Sequence, residues 1–181
     1  MKGYTWLKGN LDKYHWGSWV WNKQNIPKHS FICWLIMQRK LLTKDRPAHK
    51  GMGSDGLCVL CGNASELIEH LFYECQFSKL CINEVIKWLK IRITNYEGQH
   101  LWKRVGRKMG NKLRRGFSFA VLAALNYHIW KGRNEALWQS SVPRPSRLCD
   151  QIKKECKVRV MEIINKQKRD KERRWIEEVY S

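Results

Sequence analysis

The stretch Gly56–Cys81, "GLCVLCGNASELIEHLFYECQFSKLC", holds four of the seven cysteines and one of the six histidines in a chain of 181 residues. Inside it, the pattern Cys-x2-Cys-x8-His-x4-Cys is formed by Cys58, Cys61, His70 and Cys75. Three thiolates and one imidazole are a common tetrahedral ligand set for structural zinc. The spacing therefore predicts that these four residues bind one Zn²⁺ ion. The alternative is a chance grouping of buried cysteines with a surface histidine.

The residues between the cysteine pair and the histidine indicate how the stretch folds. Gly62 follows the second cysteine, at a position where a tight turn often needs a positive φ. Asn63 and Glu66 are three residues apart and predict a capping box at the start of a helix that carries His70. We therefore expect a turn that presents two thiolates, followed by a short helix.

The fourth ligand is expected just after that helix. Residues five apart do not share a face of an α-helix, so the helix should end near Tyr73, with Cys75 in the next turn. Cys81 is an alternative fourth ligand, but it fits better as a core position of the following helix. The remaining cysteines are interpreted as small core residues, which are Cys33, Cys149 and Cys156.

A zinc site with four protein ligands leaves no coordination position open for water. Such a site stabilises a fold, so we expect a structural zinc and no catalytic residue. The other histidines have no serine or cysteine partner at a spacing that would indicate a catalytic triad. These are His15, His29, His49, His100 and His128.

Charge and composition indicate a folded protein with a polyanionic partner. The formal net charge is +19 and the chain contains ten tryptophans, which a disordered basic tail would not. The longest apolar runs have seven residues, against the ~20 that a membrane-spanning helix needs. No apolar leader is visible, and an odd cysteine count argues against a full disulfide set. We expect an intracellular, reduced protein with no membrane partner and no small-molecule substrate.

Apolar periodicity predicts a mostly α-helical chain. The helix-forming stretches are "IPKHSFICWLIMQRKLL", "CINEVIKWLKI", "LWKRVGRKMGNKLRR", "GFSFAVLAALNYHIWKGRNEALW" and a last helix after "SVPRPS". "WGSWVWNKQ" is predicted to be a short strand or loop. The linker "NYEGQ" suggests two domains: residues 1–94, an aromatic segment with a small helical zinc-binding domain, and residues 95–181, a basic region with long helices.

The positive charge is concentrated after the cysteine-rich stretch. Residues 51–100 carry four basic and six acidic residues, net −2, whereas residues 101–150 carry eleven and two, net +9. Within thirteen residues of "WKRVGRKMGNKLRRGF" there are seven cations and no acid. Dense cations bind phosphates, so this segment is the predicted nucleic-acid-binding surface. Its residues are Lys103, Arg104, Arg107, Lys108, Lys112, Arg114 and Arg115.

Most tryptophans are expected to be core residues. Trp34, Trp88 and Trp130 lie in apolar periodic stretches. Three others lie among charged residues and are the candidates for stacking on nucleic-acid bases, namely Trp6, Trp16 and Trp175.

The first half of the chain resembles a known family. It contains Trp21, a Pro27–Lys28 pair, an aromatic-rich helix, the Leu-x-Thr-x-Asp stretch 41–45 and then the cysteine pair. "ELIEHLFYECQF" follows, with Glu66, the His-Leu-Phe triplet 70–72 and Cys75. This pattern resembles the reverse-transcriptase zinc-binding domain of plant non-LTR (LINE-type) retrotransposons. A weaker similarity extends to "IWKGRNEALW", which is similar to an Ile-Trp-x-x-Arg-Asn stretch of such elements.

The resemblance implies a zinc-binding accessory domain, here as a free-standing and domesticated fragment of a retroelement. The chain has no Tyr-x-Asp-Asp motif and no adjacent aspartates, so the carboxylates of a two-metal polymerase or nuclease site are missing. We therefore expect a non-catalytic, zinc-stabilised module that binds RNA or DNA, in the nucleus rather than the cytoplasm. The alternative is a helical adaptor that docks into a larger protein complex.

Overall fold

The structure is a computed structural model that describes residues 14–45, 56–93, 98–167 and 170–180. It is mostly α-helical, which confirms the predicted fold class. In this part of the chain the β pairing consists of one antiparallel bridge, Leu57–Ser65. The elements are α1 Gly17–Val20, α2 Pro27–Met37, a π-helical turn His70–Glu74, α3 Gln76–Trp88, α4 Gly98–Lys108, α5 Lys112–Gln139, α6 Pro145–Gln167 and α7 Asp170–Tyr180.

Four residues of "WGSWVWNKQ", Gly17–Val20, form a short helix and no strand is present among its residues, while the remaining residues are turns and loop. The Asn25 side chain donates hydrogen bonds to the carbonyls of Trp19 and Val20, at 3.1 and 2.7 Å. The Ser30 hydroxyl also donates to the Val20 carbonyl, at 2.6 Å. The carbonyl groups at the end of α1 therefore find their hydrogen-bond donors in side chains and not in the backbone of a neighbouring strand. Pro27 then begins α2, as predicted, because its fixed φ suits the first helical turn.

Helix α5 lies at the centre of the fold. Its residues are buried on nearly every face between Phe117 and Ile129, as expected for a helix surrounded by other helices. Helices α2, α4 and α6 pack directly against it, and α3 packs against both α5 and α6.

The buried apolar side chains form one cluster that runs from Trp16 to Val179. This cluster includes residues from both sides of the predicted boundary between residues 1–94 and 95–181, and that division stays a prediction. None of the helices in the described ranges has both the length and the apolarity to cross a membrane.

The stretch predicted as one helix from Leu101 to Arg115 is two helices joined by a corner. Helix α4 ends at Lys108, and the Asn111 side chain accepts a hydrogen bond from the Leu113 amide at 2.7 Å. An asparagine in this capping position starts a new helix, and the preceding Gly110 favours the break. The regular spacing of apolar residues in this stretch resembled that of one helix, because both helices place their apolar side chains in the same core.

Candidate metal centre

The segment around Cys58 and Cys61 folds as a tight turn. The Cys58 amide donates to the Ala64 carbonyl at 2.8 Å, and the Gly62 amide donates to the Cys58 carbonyl at 2.7 Å. Gly62 has φ +69, the left-handed conformation predicted from its position after the second cysteine. The turn brings both thiols to one side of the chain.

The π-helical turn explains how His70 and Cys75 reach the same site although they are five residues apart. The Cys75 amide donates to the His70 carbonyl at 2.7 Å, which is the i to i+5 bond of a π-helix. Cys75 itself has φ −56 and ψ 133 and lies outside the helix, as predicted. The helical turn ends at Glu74, one residue after the predicted end.

The four candidate ligand atoms converge, and all lie within 4.8 Å of one another. The Sγ atoms of Cys58 and Cys75 are 3.9 Å apart, and Cys61 Sγ lies 3.3 Å from His70 Nε2. Tetrahedral zinc with ordinary bond lengths separates two sulfurs by about 3.8 Å and a sulfur from a nitrogen by about 3.6 Å. The geometry therefore fits a single Zn²⁺ ion.

Backbone amides support the thiolate form of the buried ligands. Cys75 is the N-cap of α3, and the Phe77 and Ser78 amides at the start of this helix help to lower the pKa of its thiol. The Cys58 thiol donates to Cys75, which lowers the pKa of Cys75 and raises the pKa of Cys58. A zinc ion would take both sulfurs as thiolates and release the proton they share.

Glu66 acts in a way that the sequence did not predict. It is fully buried, and its carboxylate accepts hydrogen bonds from the Lys44 amide at 3.0 Å and from Arg133 of α5. The predicted capping box of Glu66 with Asn63 is therefore wrong, because the carboxylate is already used for tertiary contacts. Glu66 and the pair Arg133–Asn134 both belong to the stretches that carried the family resemblance. This was the one indication in the sequence that Glu66 and Arg133 are related.

The other cysteines are core residues, as interpreted from the sequence. Cys81 lies on α3 and is buried, and Cys149 Sγ donates to its carbonyl at 3.8 Å. Cys33 and Cys156 are also buried. The structure thus groups Cys75, and not Cys81, with the other three candidate ligands.

The seven cations of the predicted nucleic-acid surface lie on both sides of the corner between α4 and α5. Five of them are exposed, and Lys103 and Arg104 are half-buried. Arg114 lies over the Trp175 ring, with Cζ 4.9 Å from its centroid. We call the exposed residues Arg107, Lys108, Lys112, Arg114 and Arg115 the basic corner. It shares no residue with the cysteine site.

The structure does not support two of the three tryptophans predicted to stack on bases. Trp16 is buried, and Trp175 packs edge-on against Phe117 with ring centroids 5.6 Å apart. Trp6 lies outside the described residues. Trp34, Trp88 and Trp130 are partly buried against the core, as predicted, while Trp138 is 78% exposed.

Comparison with known proteins agrees with the geometry of the cysteine site. Residues 1–81 match a family described as zinc-binding in reverse transcriptase, and this range contains all four candidate ligands. No curated protein and no solved structure matches the chain. Residues 1–81 are therefore similar to a reverse-transcriptase zinc-binding domain, and the four candidate ligands can hold one zinc ion.

Proposed function

We propose that the protein is a non-catalytic module that binds RNA or DNA through its basic corner, while zinc holds the N-terminal fold. The observation that carries this proposal is that four cations of the basic corner have no acidic partner among the described residues. Within the described ranges, no ion pair includes Arg107, Lys108, Lys112 or Arg115. A surface that serves only solubility usually mixes charges of both signs.

Three cations of the basic corner lie at the start of α5, where positive charge destabilises the helix. Lys112, Arg114 and Arg115 lie in its first turn, which contains no acidic residue. The N-terminal end of a helix carries partial positive charge and favours anions, so each cation there costs a few tenths of a kcal/mol or more. A bound phosphate would offset this repulsion, and free amides at a helix start also bind phosphate.

The N-terminal segment extends this surface. Gln24 Nε2 donates to the Leu113 carbonyl at 3.1 Å, so the loop before α2 lies beside the first turn of α5. Exposed Lys23 is its neighbour in the chain. A nucleic acid at the basic corner would therefore also be within reach of the zinc-binding half of the protein.

The proposed lack of catalysis rests on the cysteine site. Its four protein ligands fill a tetrahedral shell, so the metal has no position for a water nucleophile. We therefore assign the zinc a structural role. Purified protein should neither cleave nor extend a nucleic acid in the presence of Mg²⁺, and a defined Mg²⁺-dependent product would contradict the proposal.

The test is a charge-neutralised variant compared with a matched control. In the test variant, Arg107, Lys108, Lys112 and Arg115 are replaced by Gln. In the control, four exposed cations elsewhere are replaced by Gln, so that the net charge falls equally; these are Lys79, Lys87, Arg92 and Arg144. Affinity for random-sequence RNA and DNA is measured over a range of salt concentrations.

The test variant should bind more weakly, and its plot of log affinity against log salt should flatten by roughly 0.9 for each lost duplex phosphate contact. The control should keep the slope of the original chain. Equal weakening of both variants would show that total charge, and not this surface, is responsible. No binding by the original chain would favour the adaptor hypothesis, in which the charge meets an acidic protein.

Nuclear location is part of the same proposal. The basic segment "KQKRDKERR" near the end of the chain could act as an import signal. A fluorescent fusion of the full chain should accumulate in the nucleus, and replacement of the basic residues of this segment by Gln should abolish the accumulation.

A further inference from the structure

A second group of possible metal ligands lies where α2, α5 and α6 meet. It consists of His29 from α2, His128 from α5 and Glu155 from α6. The ligand atoms that these three residues offer lie within 4.8 Å of one another. This group shares no residue with the cysteine site.

The distances in this group match those between ligands of one ion. Glu155 Oε2 lies 3.1 Å from His29 Nε2 and 3.4 Å from His128 Nε2. Tetrahedral zinc with ordinary bond lengths places nitrogen and oxygen ligands about 3.4 Å apart. Two imidazoles and one carboxylate form a ligand set that transition metals take, with positions left for water.

The Glu155 oxygen is in ion-pair contact with both histidine Nε2 atoms and with Lys28. His29 is 1% exposed and His128 is 3% exposed. Both Nε2 atoms and the facing Glu155 oxygen are buried, and none makes a hydrogen bond within the part of the chain that the structure describes. Buried polar atoms without a hydrogen bond cost free energy, so three that lie this close together indicate a missing ligand.

Two cations nearby, Lys131 and Lys28, oppose metal binding, and Lys28 is in contact with the carboxylate. Lys28 Nζ lies 3.6 Å from the same Glu155 oxygen, and the Lys28 side chain is 50% exposed. It also lies over the Tyr127 ring, 4.9 Å from the centroid. Because it is half-exposed, this ammonium group can turn into solvent when a metal ion takes its place.

Two clefts lie beside the group. Glu155 lines a cleft of about 800 Å³ that Lys28 also borders, and His128 lines a second cleft of about 240 Å³. Gln151 borders both. A fourth ligand, water or a small anion, could enter from either side.

We propose that His29, His128 and Glu155 form a second metal site, which binds one divalent transition-metal ion such as Zn²⁺ and links α2 to α5 and α6. The metal would tie the zinc-binding domain to the helical part of the chain. This site is independent of the proposed nucleic-acid binding.

The test counts metal ions on the full chain. Protein is equilibrated with excess Zn²⁺ and freed of unbound metal by gel filtration. Elemental analysis of zinc and sulfur then gives the number of zinc ions per chain, and thermal unfolding of the same samples is measured. We expect about two zinc ions per chain, because two separate ligand sets are present. His128→Gln and Glu155→Gln should each lower the ratio to about one and weaken binding of the second ion at least about tenfold.

Two further variants keep the test decisive. Lys28→Gln changes a half-exposed residue and should tighten the second site, because it removes a competing cation. Cys58→Ser should remove the zinc ion of the cysteine site. In the Co²⁺-substituted protein, the same variant should lose the thiolate-to-metal absorption band. Co²⁺ bound at the histidine site should lack that absorption.

A single zinc ion per chain at saturating Zn²⁺ would overturn the proposal. So would a ratio of two that His128→Gln and Glu155→Gln leave unchanged. If either variant fails to fold, an unchanged second-site affinity in Lys28→Gln would count against the site.

Discussion

Arg133 of α5 and Glu66 of the cysteine-rich segment form a buried ion pair. Nε and one terminal nitrogen of Arg133 donate to the same Glu66 oxygen, at 3.0 and 2.7 Å. The side chains are 3% and 0% exposed. Arg133 also lies over the Trp130 ring, 5.0 Å from its centroid, and donates to Asn134 at 3.0 Å. This pair fixes the metal-binding segment to the central helix.

We expect Arg133→Met to lower the free energy of unfolding by about 3–5 kcal/mol, because it leaves the Glu66 carboxylate buried without a counter-charge. Urea unfolding monitored by circular dichroism measures the change. Zinc affinity should fall as well, since Glu66 lies between the cysteine pair and His70.

The matched control is the double variant Glu66→Leu with Arg133→Met, which removes both charges. Replacing a buried pair by apolar residues of similar size is often nearly neutral, so the double variant should be more stable than Arg133→Met alone. A loss below about 1 kcal/mol in the single variant would mean that water reaches the carboxylate.

The sequence predicted the local part of this site and not the tertiary part. The spacing of the cysteines and His70 is a local pattern, because a turn and one helical turn bring the ligands together. Arg133 is 67 residues away from Glu66, and no periodicity connects them. Glu66 therefore looked like a capping residue, which needs only its neighbours. His29, His128 and Glu155 escaped notice for the same reason, because they come from three different helices.

The fourth ligand of the cysteine site can be tested by a pair of variants. Cys75→Ala should remove zinc from this site, because Cys75 Sγ lies 3.9 Å from Cys58 Sγ. Cys81→Ala should keep it, because Cys81 faces Cys149 in the core. The readout is the cobalt–thiolate absorption of the Co²⁺-substituted protein. Loss of this band in Cys81→Ala with a normal band in Cys75→Ala would reverse the assignment.

The packing of α4 on α5 depends on Gly106. A Cβ atom at this position would lie 2.8 Å from the ring of Phe119. That ring cannot move freely, because it packs among Trp19 and Trp102 with centroids 6.0 and 5.9 Å away. Gly106→Val should therefore destabilise the fold by about 1–3 kcal/mol.

Gly110→Ala is the control for this position, because a Cβ atom there meets no atom within 4 Å. Its effect should stay within about 0.5 kcal/mol. Thermal and urea unfolding of both variants give the comparison. Equal stability of the two would mean that α4 can shift along α5 without loss of contacts.

The basic corner shows another limit of the sequence. The seven cations were identified by their density along the sequence, which does not indicate the contacts of each side chain. Arg114 covers the Trp175 ring of α7, which is distant from it in the sequence. The charge pattern identified the segment, but the partner of each side chain depends on how α7 packs.

Arg114 and Arg115 should therefore respond differently to the same substitution. Arg114→Gln loses a cation–π contact and should destabilise the protein by about 0.5–1 kcal/mol, whereas Arg115→Gln should leave stability within about 0.5 kcal/mol. Both should weaken binding of nucleic acid if both contact phosphates. Arg114→Lys, which keeps the charge, should retain most of the salt dependence, since the slope reports the number of phosphates contacted and not the shape of the cation. Unfolding curves and salt titrations on the three variants separate the two roles. Equal stability of Arg114→Gln and Arg115→Gln would show that the contact with Trp175 contributes nothing to the fold, so that Arg114 is as free to bind phosphate as its neighbour.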